Sequence, residues 1–121
     1  MWREHIFDYI FCNSGVYHHQ VITLEEIECG GLRISSTDVL VARRIFTGVY
    51  GRNMVPIYLG DIISSGLGEI VWTRGKFQVK WHGTIYRRVR GEKPEDLFGN
   101  SDIVWDVIGN IYENPNLLEQ I

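Results

Sequence analysis

Two runs, Glu69-Ile-Val-Trp-Thr73 and Lys76-Phe-Gln-Val-Lys-Trp81, constrain the fold more than any other stretch of the chain. Arg74-Gly75 joins them, and a two-residue link between runs of β-formers predicts a tight hairpin. In the second run Phe77, Val79 and Trp81 alternate with Lys76, Gln78 and Lys80. That period of two predicts a strand with one buried face and one wet face. Helical periodicity is scarce elsewhere, and the 13 glycines punctuate the chain into short segments.

Upstream, Ile6 to Phe11 reads as a strand, Asn13-Ser-Gly15 as a turn and Val16 to Leu24 as a second strand. Val39 to Ile45 suggests extended chain, while Asp38 to Phe46 also admits a helix capped by Ser36 or Thr37. Thr47 to Asn53 is turn-rich, and Ile57 to Ile63 leads into a strand. Within it, Gly60-Asp61 suits a tight bend whose carboxylate accepts backbone N–H bonds. His82-Gly83 reads as a turn and Thr84 to Val89 as a further strand. Pro94 to Phe98 resembles one helical turn, with Pro and acids near its start. Asp102 to Tyr112 is the final strand, with Gly109 at a bulge or close approach. Asn114-Pro115 fits a cap followed by Pro in a short terminal turn. From residue 55 onward this makes about five short strands with tight connections, which most economically close into a small barrel and hide its edges. The expected architecture there is an SH3-like barrel.

At 121 residues the chain is one domain or one domain with an appendage. Apolar residues make up 45 % and charged residues 22 %, close to globular averages, so the chain buries a core. The net charge of −3 is too mild to imply nucleic-acid or membrane affinity by itself. Glu4 and Asp8 stand where a signal peptide needs an apolar stretch. The apolar runs fall far short of the ~20 residues of a membrane-spanning helix. Cys12 and Cys29 are too few for a secreted disulfide scaffold. A cytoplasmic protein with two free thiols and no membrane partner is expected.

Catalytic signatures are missing from the sequence. His5, His18, His19, His82, Cys12 and Cys29 have no metal-ligand spacing, and adjacent His18 and His19 point to opposite faces of a strand. No phosphate loop, nucleophile elbow or dinucleotide fingerprint occurs. Glu25-Glu26 and Glu95-Asp96 are adjacent rather than converging, as solvated acids are. No enzyme activity, cofactor or metal is expected.

Charge is unevenly distributed. Arg74, Lys76, Lys80, Arg87, Arg88, Arg90 and Lys93 cluster in the hairpin half, whereas Pro94 to Ile121 holds six acids and no Lys or Arg. Lys76, Lys80, Arg87, Arg88 and Arg90 form a candidate face for nucleic acid or an acidic partner. Trp72, Trp81 and Tyr86 are available for stacking if exposed. The competing reading, favoured here, is that the basic strands pair with the acidic C-terminal strand and neutralise one another. A third reading is that the basic face of one subunit meets the acidic tail of another, giving a homo-oligomer.

Two segments carry a family resemblance. Thr47-Gly-Val-Tyr-Gly-Arg-Asn-Met-Val-Pro-Ile-Tyr-Leu-Gly-Asp-Ile-Ile63 resembles the YopX pattern of Thr-Gly-Leu, a Gly/Lys/Asn-rich turn, then Ile-Tyr-Glu-Gly-Asp-Ile-Val. The departures are Leu59 for Glu and a less glycine-rich turn. The tail from Val107 to Leu118 is similar to the family consensus throughout. The resemblance spans roughly residues 43 to 118. It implies a gene carried by phages or prophages, an N-terminal α+β region (1–46) and a C-terminal barrel (47–121), so a mostly β, α+β chain. It implies no catalytic residues. The tail has more sequence specificity than a turn demands, which makes Tyr112, Glu113, Asn114, Pro115, Leu117 and Leu118 candidates for a subunit contact. The expected role is an accessory protein acting through protein–protein contacts as a homo-oligomer, with a host or phage protein as a further partner. The alternative is a nucleic-acid-binding module.

Overall fold

Phe7–Asn13 (β1) and Val16–Ile22 (β2) pair as an antiparallel hairpin. Ser14 and Gly15 between them have φ of 52° and 80°, the two-residue turn whose twist suits such a hairpin. The computed structural model describes residues 7–22, 34–64, 67–82, 95–97 and 105–119. It divides into two compact units, Met1–Phe46 and Thr47–Ile121. The described residues are mostly strand, with one sheet curled into a half-barrel. They contain no α-helix and two short 3-10 segments, Arg52–Met54 and Pro115–Glu119.

In the first unit, Val39–Tyr50 (β3) begins beside β1, antiparallel, from Cys12↔Val39 to Phe7↔Ile45. The boundary between the units falls inside this strand. Tyr9, Phe11 and Ile22 form the unit's apolar cluster, with Phe7 packed against them. The rings of Tyr9 and Phe11 lie 6.4 Å apart and nearly parallel.

The second unit continues with Pro56–Tyr58 (β4), Asp61–Ile63 (β5), Gly68–Thr73 (β6), Lys76–Trp81 (β7), Glu95–Asp96 (β8) and Val107–Asn110 (β9). One sheet runs β2-β1-β3-β4 and the other β8-β7-β6-β5-β9. The core is Ile57, Ile63, Ile70, Val79, Trp81, Leu97 and Trp105, each aliphatic contributing roughly 1.5–3 kcal/mol by leaving water. The hairpin forms with Thr73 opposite Lys76, and Arg74 and Gly75 at φ of 54° and 77°.

Several expectations are corrected. Asp38 to Phe46 is not helical. Ser36 and Thr37 form a turn, and Val39 onward is strand, because the β-branched run pairs with β1 along its length. Thr47 to Tyr50 belongs to that strand too, so the turn starts only at Gly51. Glu95 and Asp96 are extended rather than helical, paired with Val79 and Gln78. The open edge of β7 supplies hydrogen bonds that a single helical turn could not. The last strand is shorter than expected: it ends at Asn110, and Ile111 to Glu113 turn. Ile57 to Ile63 is two short strands broken at Leu59-Gly60. The strand expected at Thr84 to Val89 lies outside the described residues. So do residues 1–6 and 23–33 of the N-terminal region expected to be α+β.

Candidate functional site

One face of the β6–β7 hairpin carries Glu69, Val71 and Thr73 on one strand and Lys76, Gln78 and Lys80 on the other; Lys76 and Lys80 are exposed as expected of a wet face, but Gln78 is buried. Thr73 Oγ1 donates to Gln78 Oε1, and Gln78 Nε2 donates to Asp96 Oδ1 at 2.8 Å. Lys76 Nζ lies 2.9 Å from the same carboxylate. These contacts hold Asp96 below the ordinary aspartate range, the Gln78 amide first and Lys76 second. Lys80 stands directly opposite Glu69, whose carboxylate meets His82 Nε2 at 3.1 Å. Both lysines therefore face acids of their own chain. Arg87, Arg88, Arg90 and Tyr86 lie outside the described residues.

The stacking candidates point elsewhere. Trp72 and Trp81 sit on the opposite face from the lysines, in the row with Ile70 and Val79. Trp81 is buried at 5 % exposure and packs near Trp105, so it is a core residue and not a stacking platform. Trp72 is 54 % exposed, edge-on to Phe77. Among the described candidates, the tryptophans and the lysines, the pairing that single-stranded nucleic acid uses, thus lie on opposite faces of the sheet.

The tail is tied within its own unit. Asn110 Oδ1 accepts the backbone N–H of Tyr112 at 2.9 Å and of Glu113 at 2.8 Å, and its Nδ2 donates to Glu113 Oε2 at 2.7 Å. Asn114 N–H donates to the Asn110 carbonyl, and the Asn114 carbonyl accepts from Leu117. Asn114 Oδ1 crosses back so closely that a Cβ on Gly109 would meet it at 2.6 Å. Gly60, at φ 91°, leaves 3.0 Å between its missing Cβ and the Tyr112 ring, and its carbonyl accepts from Ile111. Asp61 Oδ2 accepts the Tyr58 N–H at 2.8 Å, as the sequence indicated. The two family-like segments therefore meet at Gly60. Much of the tail's sequence specificity is spent on backbone bonds inside the chain. Pro115 is exposed, while Tyr112, Glu113, Asn114, Leu117 and Leu118 are half-buried.

Sequence reasoning did not single out the sheet of the first unit. Asp8, 1 % exposed, accepts through Oδ2 from Arg44 Nε at 3.1 Å, from Arg44 Nη2 and from His19 Nδ1 at 2.8 Å. Its other oxygen, Oδ1, is buried with no hydrogen-bond partner. His18 turns to the other face, stacks on Phe11 and meets Asp38 at 3.1 Å. Asp38 is held below the ordinary aspartate range, first by the Ser35 N–H and then by the His18 and Asn13 side chains. Cys12 is a half-buried free thiol. Among the described residues no group of three His, Cys, Asp or Glu converges as metal ligands would. No described helix is long and apolar enough to cross a membrane.

The same sheet leaves apolar side chains in water. Val16, Tyr17 and Val21 of β2 are 41–65 % exposed, and Val39, Leu40 and Ile45 of β3 are 42–63 % exposed. The signal for this was present as uncharged, β-branched composition in Val16–Ile22. It is invisible without knowing that β2 is the outer strand.

No curated protein matches the chain. The model of the YopX protein family matches residues 9–119, so the match takes in the N-terminal hairpin as well as the glycine bend and the tail, and the chain belongs to the YopX family.

Proposed function

We propose that this chain is a non-catalytic accessory protein, encoded by a phage or prophage and acting in the bacterial cytoplasm through protein–protein contacts and self-association. The observation that carries this reading is the exposure of apolar side chains on the first unit's sheet: Val16, Leu40 and Ile45 on one face and Tyr17, Val21 and Val39 on the other. Exposed apolar side chains in such number support contact with another protein surface. The reading of the second unit as an SH3-like barrel rests on its succession of short strands, and the α+β assignment of the first unit rests on the family. Sedimentation velocity of the full chain at micromolar concentration tests the proposal. An assembly larger than a monomer is expected, and a monomer throughout the range would overturn self-association.

Nucleic-acid binding is the second reading, on Lys76, Lys80, Arg87, Arg88 and Arg90. It has less support, because Lys76 is paired with Asp96, leaving fewer cations for phosphates. Fluorescence anisotropy with single- and double-stranded probes at low salt decides it. Salt-sensitive binding lost on Lys76→Glu and Lys80→Glu would favour this second reading over the first.

A further inference from the structure

We infer that the turn end of the β6–β7 hairpin, Trp72 to Lys76, is a docking tip for an acidic segment of another protein, with Trp72 as its apolar anchor and Arg74 as its charge contact. The inference rests on the protein–protein reading above and supplies the chemistry of a partner other than a second copy.

Trp72 continues the row of Ile70 past the end of the core: Ile70 is 1 % exposed and Trp72 54 %. A large aromatic side chain gains more than most by leaving water, and more than half of this one stays in it. The ring is held in place. Phe77, directly opposite, meets it edge-on at 4.7 Å and 75°. A ring fixed before binding loses less freedom when a partner covers it.

Arg74 opens the two-residue turn at φ 54°, with Gly75 at 77°. Positive φ at both positions selects Asn-Gly, Asp-Gly or Gly-Gly, so an arginine there costs the hairpin stability. Nothing inside the described chain offsets that cost. The Arg74 side chain is exposed, and among the described residues its guanidinium makes no hydrogen bond or ion pair. A Cβ on Gly75 would meet nothing within 4 Å, so the turn is open to solvent on that side. The strands behind it are braced on their other face. Thr73 Oγ1 donates to Gln78, Gln78 donates to Asp96 at 2.8 Å, and Lys76 Nζ lies 2.9 Å from Asp96.

Charge identifies the partner. From Ile70 to Trp81 the hairpin carries Arg74, Lys76 and Lys80 and no acid. Lys76 shares its charge with Asp96, which leaves Arg74 at the tip to select a carboxylate. Trp and Arg are the residue types that dominate binding energy at protein interfaces, and here they stand two positions apart. Nucleic acid would ask for a run of cations along its backbone and further rings for its bases. A membrane would ask for a wider apolar face and several cations. One ring with one cation beside it suits neither. The chain's own acids fit less well, because Asp96 is paired with Lys76 and Glu113 with Asn110.

A displayed random-peptide library tests this, selected on the full chain and counter-selected on Trp72→Ser and on Arg74→Asn. Enriched peptides should set Asp or Glu beside an apolar residue, and their affinity should fall at least roughly tenfold for each variant. Both substitutions are at exposed positions and should leave the circular dichroism spectrum unchanged. Arg74→Asn should also raise the urea midpoint, because Asn suits the turn. Stability and binding then move in opposite directions, which a merely structural role for Arg74 would not produce. A library that yields no binders, peptides without acids, or binding that survives both substitutions would overturn the inference. Phosphatidylserine–phosphatidylcholine vesicles and a single-stranded oligonucleotide are the other probes, and binding to either that is lost on Trp72→Ser would overturn a protein occupant. Sedimentation separates this inference from self-association. An assembly that persists in both variants supports a separate tip, whereas one lost in both makes the tip the self-contact and overturns the inference. A monomeric wild type that still binds the peptides would sink self-association and uphold the tip.

Discussion

The two units bury their polar groups in opposite ways. In Thr47–Ile121 three of the four buried polar residues among those described serve backbone groups within ten positions, while Gln78 joins the Thr73 and Asp96 side chains. Thr47 Oγ1 donates to the Ile57 carbonyl, Asp61 accepts from Tyr58, and Asn110 accepts from Tyr112 and Glu113. In Met1–Phe46 the buried polar pair is ionic and joins residues 36 apart, Asp8 and Arg44. The first arrangement is a set of local turns that each close themselves. The second is one interaction whose two halves are expensive apart, because an unpaired charge in a low-dielectric interior has no compensation. The second unit gathers its apolar side chains into a seven-residue core. Among the described residues the first leaves eight large apolar side chains exposed and the second five. The unit with more apolar side chains in water is also the one that buries a long-range charge pair.

The sharpest break of this contrast is Arg44→Met. It strands the Asp8 carboxylate, one oxygen of which already lacks a partner, and should cost about 3–5 kcal/mol. Adding Asp8→Leu should recover most of that loss, because the pair itself contributes little beyond its own desolvation. Urea unfolding of both single variants and the double variant checks this through the far-ultraviolet circular dichroism. A double variant as unstable as Arg44→Met alone would show that the pair is more than mutual compensation.

Next in size is Asn110→Ala, which leaves the Tyr112 and Glu113 amides without their acceptor and should cost about 2–3 kcal/mol. Trp72, Trp81 and Trp105 all lie in the second unit, so their fluorescence should report the shift. A loss of that size in the tail would establish that its consensus residues act within the chain.

Met54 offers a gain instead. It is 71 % exposed and held at φ 60°, directly after Asn53 at φ 58°. A side chain in that left-handed region costs roughly 1–2 kcal/mol, which glycine does not incur. Met54→Gly should stabilise the second unit by about 1 kcal/mol, read as a higher urea midpoint.

The smallest effect is in pH. Asp38 in the first unit and Asp96 in the second both hold their protons less tightly than in the unfolded chain. Below the ordinary aspartate range the unfolded state then binds more protons than the folded state. Stability from both groups is thus present at neutral pH and lost as pH falls through their lowered values. Asp96→Asn should flatten the acid limb of stability against pH in the second unit, and Asp38→Asn that in the first.

Legibility in the sequence followed the same divide. Arg74-Gly75, Asn13-Ser-Gly15, Gly60-Asp61, Gly109 and Asn114-Pro115 could be read correctly because each depends on neighbours within a few positions. A turn's φ angles and a side chain's reach to the next amides are set by local covalent geometry. Glu95-Asp96 was misread for the converse reason. Its local signal is helical, yet Gln78 and Val79 on the edge of β7, far off in sequence, supply partners that override it. Val39–Tyr50 was ambiguous alone and became a strand by pairing with β1.

What the sequence by itself determined was the family, the hairpins, the glycine bend and the capped tail, all products of short-range sterics and hydrogen bonding. Only the tertiary structure decided that Lys76 and Lys80 face acids, that Trp81 is core while Trp72 is not, and that Asp8 meets Arg44. It also decided that, among the described residues, an uncharged strand is the outer one of its sheet. Those outcomes depend on which strands become neighbours, and strand neighbours are chosen by the packing of the whole sheet rather than by any one segment.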